Sequence, residues 1–138
     1  RLVGRGLKVS LVKHAHHHFE VDQPGKDSYR HRHAGCTEVL VTSIERWALM
    51  HELRGDPELR LPDVLARLSP CDLVLVEGYK RSNKPSLEVV RAANSLELIG
   101  STEQRIALVS DVAMVVGVPR YDLEDISGIA GFIAERFL

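Results

Sequence analysis

The sequence predicts an α/β fold in which a mostly parallel sheet is flanked by helices. Two patterns carry this prediction. Residues 72–80 read Asp-Leu-Val-Leu-Val-Glu-Gly-Tyr-Lys, and an apolar run that ends so abruptly is typical of a strand buried on both faces of a sheet. Near the C-terminal end, apolar residues recur at helical spacing, which predicts an amphipathic helix. This stripe consists of Ile126, Ile129, Ile133 and Phe137.

Within residues 72–80, the predicted strand ends at Glu77. Ligands of open α/β sheets bind outside the carboxyl ends of the strands. Glu77 is therefore predicted to lie where a nucleotide or a metal binds.

Length and composition limit the class of protein. The chain has 138 residues, 44% of them hydrophobic and 27% charged, so we expect residues 1–138 to form a single globular domain. Apolar runs such as 112–116 are far shorter than the ~20 residues of a membrane span, so no membrane association is expected. Cys36 and Cys71 have no metal-type spacing and indicate reduced thiols, which favours a cytoplasmic location.

Charge is distributed unevenly along the chain. Residues 1–36 hold seven Lys and Arg against three acids, together with six of the seven histidines, whereas the remainder holds 11 against 16. This polarity favours an anionic ligand, phosphate above all, at the N-terminal part; a solvated basic face without a ligand is the alternative. Nucleic-acid binding is not expected, because the basic residues lack interleaved aromatic residues.

Residues 1–6 look like the end of a helix, because Gly4 and Gly6 are of the kind that closes helices in a left-handed turn. Residues 7–12 then alternate as a strand. We therefore expect a helix, and a strand before it, to precede this chain.

A run of histidines follows the strand at 7–12. It contains His14, His16, His17 and His18. Its place at the carboxyl end of a strand makes it a candidate site. Metal ligation, contact with a phosphate or a partner, and a plain exposed loop all remain open.

Residues 22–28 combine a turn with polar side chains. Asp22, Asp27 and Ser28 are candidate Mg²⁺ ligands, direct or through water, and Lys26 offers charge to a phosphate. The segment is not a phosphate-binding loop of the G-x-x-x-x-G-K-[ST] type, because Glu20 occupies the place of its first glycine.

A short helix is predicted from Asp27 or Ser28 to Ala34. It has almost no apolar stripe, so tertiary contacts or a ligand must hold it.

Residues 38–42 and 44–53 are predicted strands joined by one or two residues. So short a link cannot carry a parallel crossover, which leaves a tight antiparallel turn or one bent strand. Such a ribbon at a sheet edge is expected to pair with a second copy of the chain.

The later elements are predicted from local signals. They are a helix from Pro62 to the residue before Pro70, a polar loop at 81–85, strands at 87–90 and 106–109, an irregular or helical link at 96–105, and the final helix with Asp122 as its N-cap.

Seven motifs together resemble a known family. They are Lys13-His14, His16-His17, Asp22-x-Pro-Gly-Lys-Asp-Ser28, Ala34-Gly35, Arg46-Trp-Ala-Leu-Met50, Glu77-Gly-Tyr-Lys80 and Ser110-Asp111. In this order, and across essentially the whole chain, they resemble the molybdopterin-guanine dinucleotide biosynthesis protein B family, MobB.

The resemblance implies a P-loop GTPase-like α/β domain, usually a homodimer, that binds GTP with Mg²⁺ and hydrolyses it slowly at best. The implied role is accessory. Such a protein assists the guanylyltransferase that joins GMP to molybdopterin, which gives the guanine dinucleotide form of the molybdenum cofactor.

The resemblance also implies roles for single residues. Asp22 and Glu77 are the implied catalytic carboxylates, with Glu77 at the end of a Walker-B-like strand; the two are expected to converge beside a positively charged hollow. The implied metal ligands are Asp22, Asp27, Ser28 and Glu77. The implied nucleotide-binding residues are Lys13 and His14 near the phosphates, Lys26, Ser28, Gly78, Lys80, and Asp111 at the guanine edge.

One feature of the family is absent from the sequence. The family begins with a strand, a phosphate-binding loop and a helix, and this chain contains no G-x-x-x-x-G-K-[ST] pattern. We therefore expect severely reduced nucleotide affinity, no turnover, and a sheet with two exposed edges. Two alternatives stay open: a non-hydrolysing adaptor that binds the guanylyltransferase or molybdopterin, and a histidine-rich metal-handling GTPase relative.

Overall fold

A computed structural model describes residues 1–15, 19–80 and 82–138. The strands are β1 (Val9–Lys13), β2 (Glu38–Thr42), β3 (Trp47–His51), β4 (Leu73–Glu77), β5 (Ser86–Val90), β6 (Arg105–Ser110) and β7 (Arg120–Tyr121). The helices are a 3₁₀-helix at Val3–Arg5, α1 (Asp27–His33), α2 (Leu61–Leu65) and α3 (Ile126–Phe137).

The chain separates into two compact units. Unit 1 consists of Arg1–His14 and Val64–Leu138, and unit 2 of Ala15–Asp63. The expected single-domain organisation stays a prediction.

The strands of unit 1 are all parallel. β1 pairs with β4, and β6 lies between β5 and β7. Within the described residues β4 pairs only with β1, and β5 only with β6, so the parallel strands form two sheets. The predicted α/β architecture with mostly parallel strands and flanking helices is thus confirmed.

Helix α3 packs on both sheets of unit 1. Leu2, Ala130 and Ile133 are buried together, against partly buried residues of β1, β4 and β5. Asp125 is the N-cap, and its side chain accepts a hydrogen bond from the Gly128 amide at 2.8 Å. The prediction that Asp122 caps this helix is therefore wrong: Asp122 lies in the preceding turn, where its carbonyl accepts from the Asp125 amide.

The buried stripe of α3 also differs from the predicted one. Ile133 is buried and Ile129 packs against the core, but Ile126 and Phe137 are exposed at the two ends of the helix. Ala130 replaces them in the contact, because a small side chain lets the helix approach the sheets closely.

The described part of unit 2 contains an antiparallel ribbon, α1 and the start of α2. β2 pairs with β3, and the Ser43 amide donates to the Arg46 carbonyl at 2.8 Å across the turn. The tight turn is therefore confirmed, and a bent strand is excluded. Arg54 donates to the carbonyls of Arg32 and Cys36, at 2.8 and 3.0 Å, and so stabilises the C-terminal end of α1.

Three local features differ from the predictions. The strand predicted at 44–53 is confined to Trp47–His51, because the chain turns between Ser43 and Arg46. The helix predicted from Pro62 ends at Leu65, because the chain then tightens into three-residue turns in which the Arg67 and Leu68 amides donate to the Val64 and Leu65 carbonyls. β7 was not predicted, since two residues carry no periodicity. In the described parts of the chain, no helix is both long enough and apolar enough to cross a membrane.

Candidate functional site

The carboxyl ends of β1 and β4 meet at one edge of unit 1. Their register places Lys13 directly opposite Glu77, and Lys13 Nζ donates to Glu77 Oε1 at 3.2 Å. The two side chains are 65% and 61% exposed. Because both side chains are this exposed, the ion pair contributes little to stability, and both charges are accessible to a ligand. We call Lys13, His14 and residues 77–79 the strand-end site.

A tight turn after Glu77 brings the chain back to the end of β1. Gly78 and Tyr79 have φ values of 92° and 49°, both in the left-handed region. The His14 amide donates to the Glu77 carbonyl at 2.9 Å, and the ring centroids of His14 and Tyr79 are 4.8 Å apart. A Cβ atom at position 78 would lie 2.7 Å from the Cβ of His14, so this approach requires glycine.

Two further predicted residues belong to unit 1. Lys80 is exposed directly after the turn. Asp111 follows β6, and its Oδ1 accepts a hydrogen bond from the Ala92 amide at 2.9 Å. Asp111 therefore ties the chain after β5 to the end of β6, and its role at a guanine edge stays a prediction.

Asp22 contacts the first turn of α1 in unit 2. Its Oδ1 accepts hydrogen bonds from the Ser28 hydroxyl and the Gln23 amide, both at 2.9 Å. Its Oδ2 lies 3.6 Å from Nε of Arg32, and the Asp22 side chain is only 10% exposed. Two of the predicted site residues, Asp22 and Ser28, are thus in direct contact.

Lys26 and Asp27 lie at the start of α1. Lys26 is the N-cap residue and Asp27 the first residue of the helix, and both side chains are exposed. An acidic residue in the first turn is favourable because it faces the positive end of the helix dipole.

Some of these residues are suited to bind Mg²⁺ and others are not. Among the described residues, no three His, Cys, Asp or Glu side chains are grouped so that they could hold a metal ion. Asp22 Oδ2 is buried against Arg32, so Asp22 does not fit a direct ligand role. Glu77 does fit, since Mg²⁺ is commonly held by one or two carboxylates together with phosphate oxygens and waters.

The predicted site residues fall into two groups. Unit 1 brings together Lys13, His14, Glu77 and Gly78, whereas unit 2 brings together Asp22 and Ser28. The convergence of Asp22 with Glu77 stays a prediction, because these residues belong to different units. His16, His17 and His18 of the predicted metal run lie outside the described residues.

Arg32 was missed by the sequence reasoning. It donates to Glu20 and Glu52, and these hydrogen bonds raise the pKa of its guanidinium above the usual value. In turn, the hydrogen bond from Arg32 is the main reason that the pKa of Glu20 is lowered. The available signal was a helix without an apolar stripe, which needs a polar contact to hold it.

Comparisons with known proteins agree on one family. The family model of MobB, molybdopterin guanine dinucleotide synthesis protein B, matches residues 1–111. The chain is 39% identical over 138 residues to the molybdopterin-guanine dinucleotide biosynthesis adapter protein of Escherichia coli (strain K12), covering 97% of this chain and 79% of that relative. It is 35% identical over 135 residues to the protein of the same name from Haemophilus influenzae, covering 96% and 74%.

Solved structures show the same fold. A crystal structure of molybdopterin-guanine biosynthesis protein B superposes with a TM-score of 0.71 at 24% identity, covering 97% of this chain and 84% of that one. A MobB homologue from Bacillus stearothermophilus gives 0.63 at 23% identity, covering 98% and 81%. This likeness confirms the predicted P-loop NTPase-like α/β fold.

The family match and the two curated relatives concern one process, the synthesis of molybdopterin guanine dinucleotide, and they support a role in molybdenum cofactor biosynthesis. The matched part exceeds half of the chain, and the chain covers more than two thirds of both relatives. The chain therefore belongs to the MobB family, that of the molybdopterin guanine dinucleotide synthesis protein B.

Proposed function

We propose that the chain is a GTP-binding accessory protein that assists the guanylyltransferase of molybdenum cofactor biosynthesis. The observation that carries the proposal is the strand-end site, where parallel strands present Lys13 and Glu77 side by side, exposed and 3.2 Å apart. Nucleotide phosphates and Mg²⁺ need charges of these two signs at this edge of an α/β sheet.

Each residue of the strand-end site has a proposed role. The Lys13 ammonium binds a phosphate oxygen and releases Glu77 from their ion pair. Glu77 then holds Mg²⁺, directly or through water, and Lys80 adds positive charge after the turn. Mg²⁺ supplies charge neutralisation of the phosphates when it is bound.

The remaining predicted residues complete the proposal. Lys26, Asp27 and Ser28 act as the switch-like segment near the γ-phosphate, and Asp111 contacts the guanine edge.

A second candidate function is a non-hydrolysing adaptor. It is favoured by the name of the Escherichia coli and Haemophilus influenzae relatives, both of which are called adapter proteins. It is also favoured by the ribbon of unit 2, where Leu40, Trp47 and Leu49 are all exposed on one face. Contiguous apolar surface of this kind marks contacts between proteins. A homodimer through this ribbon and a cytoplasmic location belong to the same proposal.

A GTP titration separates the two candidates. Isothermal titration of the full chain with GTP and Mg²⁺ is expected to show weak, Mg²⁺-dependent binding that Glu77→Gln reduces about tenfold or more, the loss typical of one charged contact. Glu103→Gln is the matched control, because Glu103 is an exposed acid in a loop of unit 1. Binding that Glu77→Gln leaves unchanged contradicts the proposed metal site. No binding, combined with retained pull-down of the guanylyltransferase, favours the adaptor.

A further inference from the structure

Arg32 lies among three carboxylates of unit 2. Its two terminal nitrogens donate to Glu20 Oε1 at 2.5 Å and to Glu52 Oε1 at 2.7 Å, and its Nε lies 3.6 Å from Asp22 Oδ2. The guanidinium carbon is 5.7 Å from the centre of the Tyr29 ring. One side chain thus contacts the segment before α1, the helix itself and the residue after β3.

Apolar burial cannot explain how this part of the chain is held. Among residues 15 and 19–63, Leu61 is the one buried residue, whereas the Arg32 side chain is only 11% exposed. The helix without an apolar stripe is therefore fixed by a charged contact. A planar guanidinium suits this task because its five donors point in fixed directions.

The segment 20–22 is ordered around these carboxylates. Glu20 Oε1 accepts from the Val21 and Asp22 amides at 3.2 and 3.1 Å, in addition to Arg32. Asp22 Oδ2 and Arg32 Nε are both buried and lack a hydrogen-bond partner, and they face each other. Asp22 is therefore oriented from two sides, by Arg32 at Oδ2 and by Ser28 at Oδ1.

We infer that Arg32 is a positioning residue, which holds Asp22 so that its carboxylate orients the Ser28 hydroxyl rather than binding a metal directly. The inference rests on the proposed function in one respect, since it is Ser28 that the proposal places near a γ-phosphate. It replaces the implied metal-ligand role of Asp22 with an indirect one.

The planar geometry of the Arg32 guanidinium, and not only its positive charge, is required to contact the three carboxylates. A lysine keeps the positive charge but presents one nitrogen, which cannot reach Glu20, Asp22 and Glu52 together. Arg32→Lys therefore separates geometric positioning from simple charge attraction. Arg30→Lys is the matched control, because Arg30 lies on the same helix with an exposed side chain.

The test needs no nucleotide. In the full chain, NMR is expected to show an Arg32 Nε–H signal that exchanges slowly with water and that shifts on Asp22→Asn. Hydrogen exchange at the Asp22 and Gln23 amides is expected to accelerate about tenfold or more in Arg32→Lys, and to be unchanged in Arg30→Lys.

Three results would overturn the inference. They are an Nε–H signal that Asp22→Asn does not shift, equal exchange rates in the two lysine variants, and a uniform loss of protection across unit 2, which would indicate a general structural role. If Arg32→Lys does not fold, the Asp22→Asn measurement decides alone. Failure of the GTP titration would reject the proposed function and leave this result intact.

Discussion

Glycine at position 78 is required by two independent features of the turn after Glu77. Its φ of 92° lies in the left-handed region, and a Cβ atom there would meet the Cβ of His14 at 2.7 Å. Any other residue at this position would be strained by the positive φ and by the overlap with His14. Tyr79 continues in the same region at φ 49°, and its ring packs against His14. A non-glycine residue with a positive φ, Tyr79, thus lies two residues after Glu77, the residue on which the proposed function depends.

Gly78→Ala tests this geometry. We expect the free energy of unfolding, measured with urea, to fall by about 2 kcal/mol, because strain and overlap each cost on the order of 1–3 kcal/mol. Gly117→Ala is the control, since nothing lies within 4 Å of a Cβ at that position. Equal stabilities of the two variants would show that the turn relaxes without cost.

Glu88 is a partly buried carboxylate outside the candidate site. Burial raises the pKa of Glu88. Hydrogen bonds from the Gly100 amide, the Arg105 side chain and the Ile99 amide together lower it by more than burial raises it, so the net pKa lies below its usual value of 4.5. The Glu88 and Arg105 side chains are 12% and 6% exposed, and Oε2 accepts from Arg105 Nε at 2.6 Å. The pair ties β5 to the start of β6, and both residues also hold Gly100 in the link between the two strands.

The depressed pKa of Glu88 predicts how stability depends on pH. Its stabilising contribution is fully present above the unfolded pKa and is lost as the pH falls through the lower folded pKa. Glu88→Gln is expected to reduce the free energy of unfolding by roughly 2–3 kcal/mol at about pH 7, and by less in acid. Urea unfolding at both pH values checks this, with Glu103→Gln as control. A loss of the same size at both would contradict it.

At the scale of elements, the β2–β3 ribbon presents apolar side chains without a core. The register pairs Leu40 with Leu49 and Thr42 with Trp47, so the three apolar residues among them share one face. All three are exposed in the chain by itself. The ribbon is therefore the element to test for the proposed homodimer.

Replacing two apolar residues of this face tests the dimer. Trp47→Ser combined with Leu49→Ser is expected to weaken self-association about tenfold or more, because a large aromatic side chain commonly dominates an interface. Sedimentation velocity over a concentration series measures this. Val115→Ser is the control, since Val115 is a fully exposed apolar residue of unit 1. A wild-type chain that stays monomeric throughout would reject the homodimer.

At the scale of the whole molecule, the two units are held by different forces. Unit 1 has buried apolar residues in β6 and α3, whereas the described part of unit 2 relies on the ribbon ladder and the contacts of Arg32. Segments with few buried apolar contacts open locally at lower free energy.

Hydrogen exchange should reveal this difference directly. At low protein concentration, where self-association is absent, we expect the amides of β2 and β3 to exchange about 100-fold faster than those of β6. Mass spectrometry of the exchanging chain gives both rates in one experiment. Similar rates would mean that the two units unfold together.

The sequence alone determined the fold class, the order of the motifs that resemble the family, and the exclusion of a parallel crossover between β2 and β3. The structure decided for the antiparallel turn and against one bent strand. The fold class follows from periodicity and the excluded crossover from a short link, and both are properties of neighbouring residues; the family follows from the resemblance of the motifs. The tertiary structure decided which side chains meet. Lys13 and Glu77 are 64 residues apart in the sequence. Arg32 contacts Glu20 and Glu52, which are 12 and 20 residues away from it in the sequence. Such partners depend on strand register and on how a helix turns against its neighbours, so no local pattern fixes them.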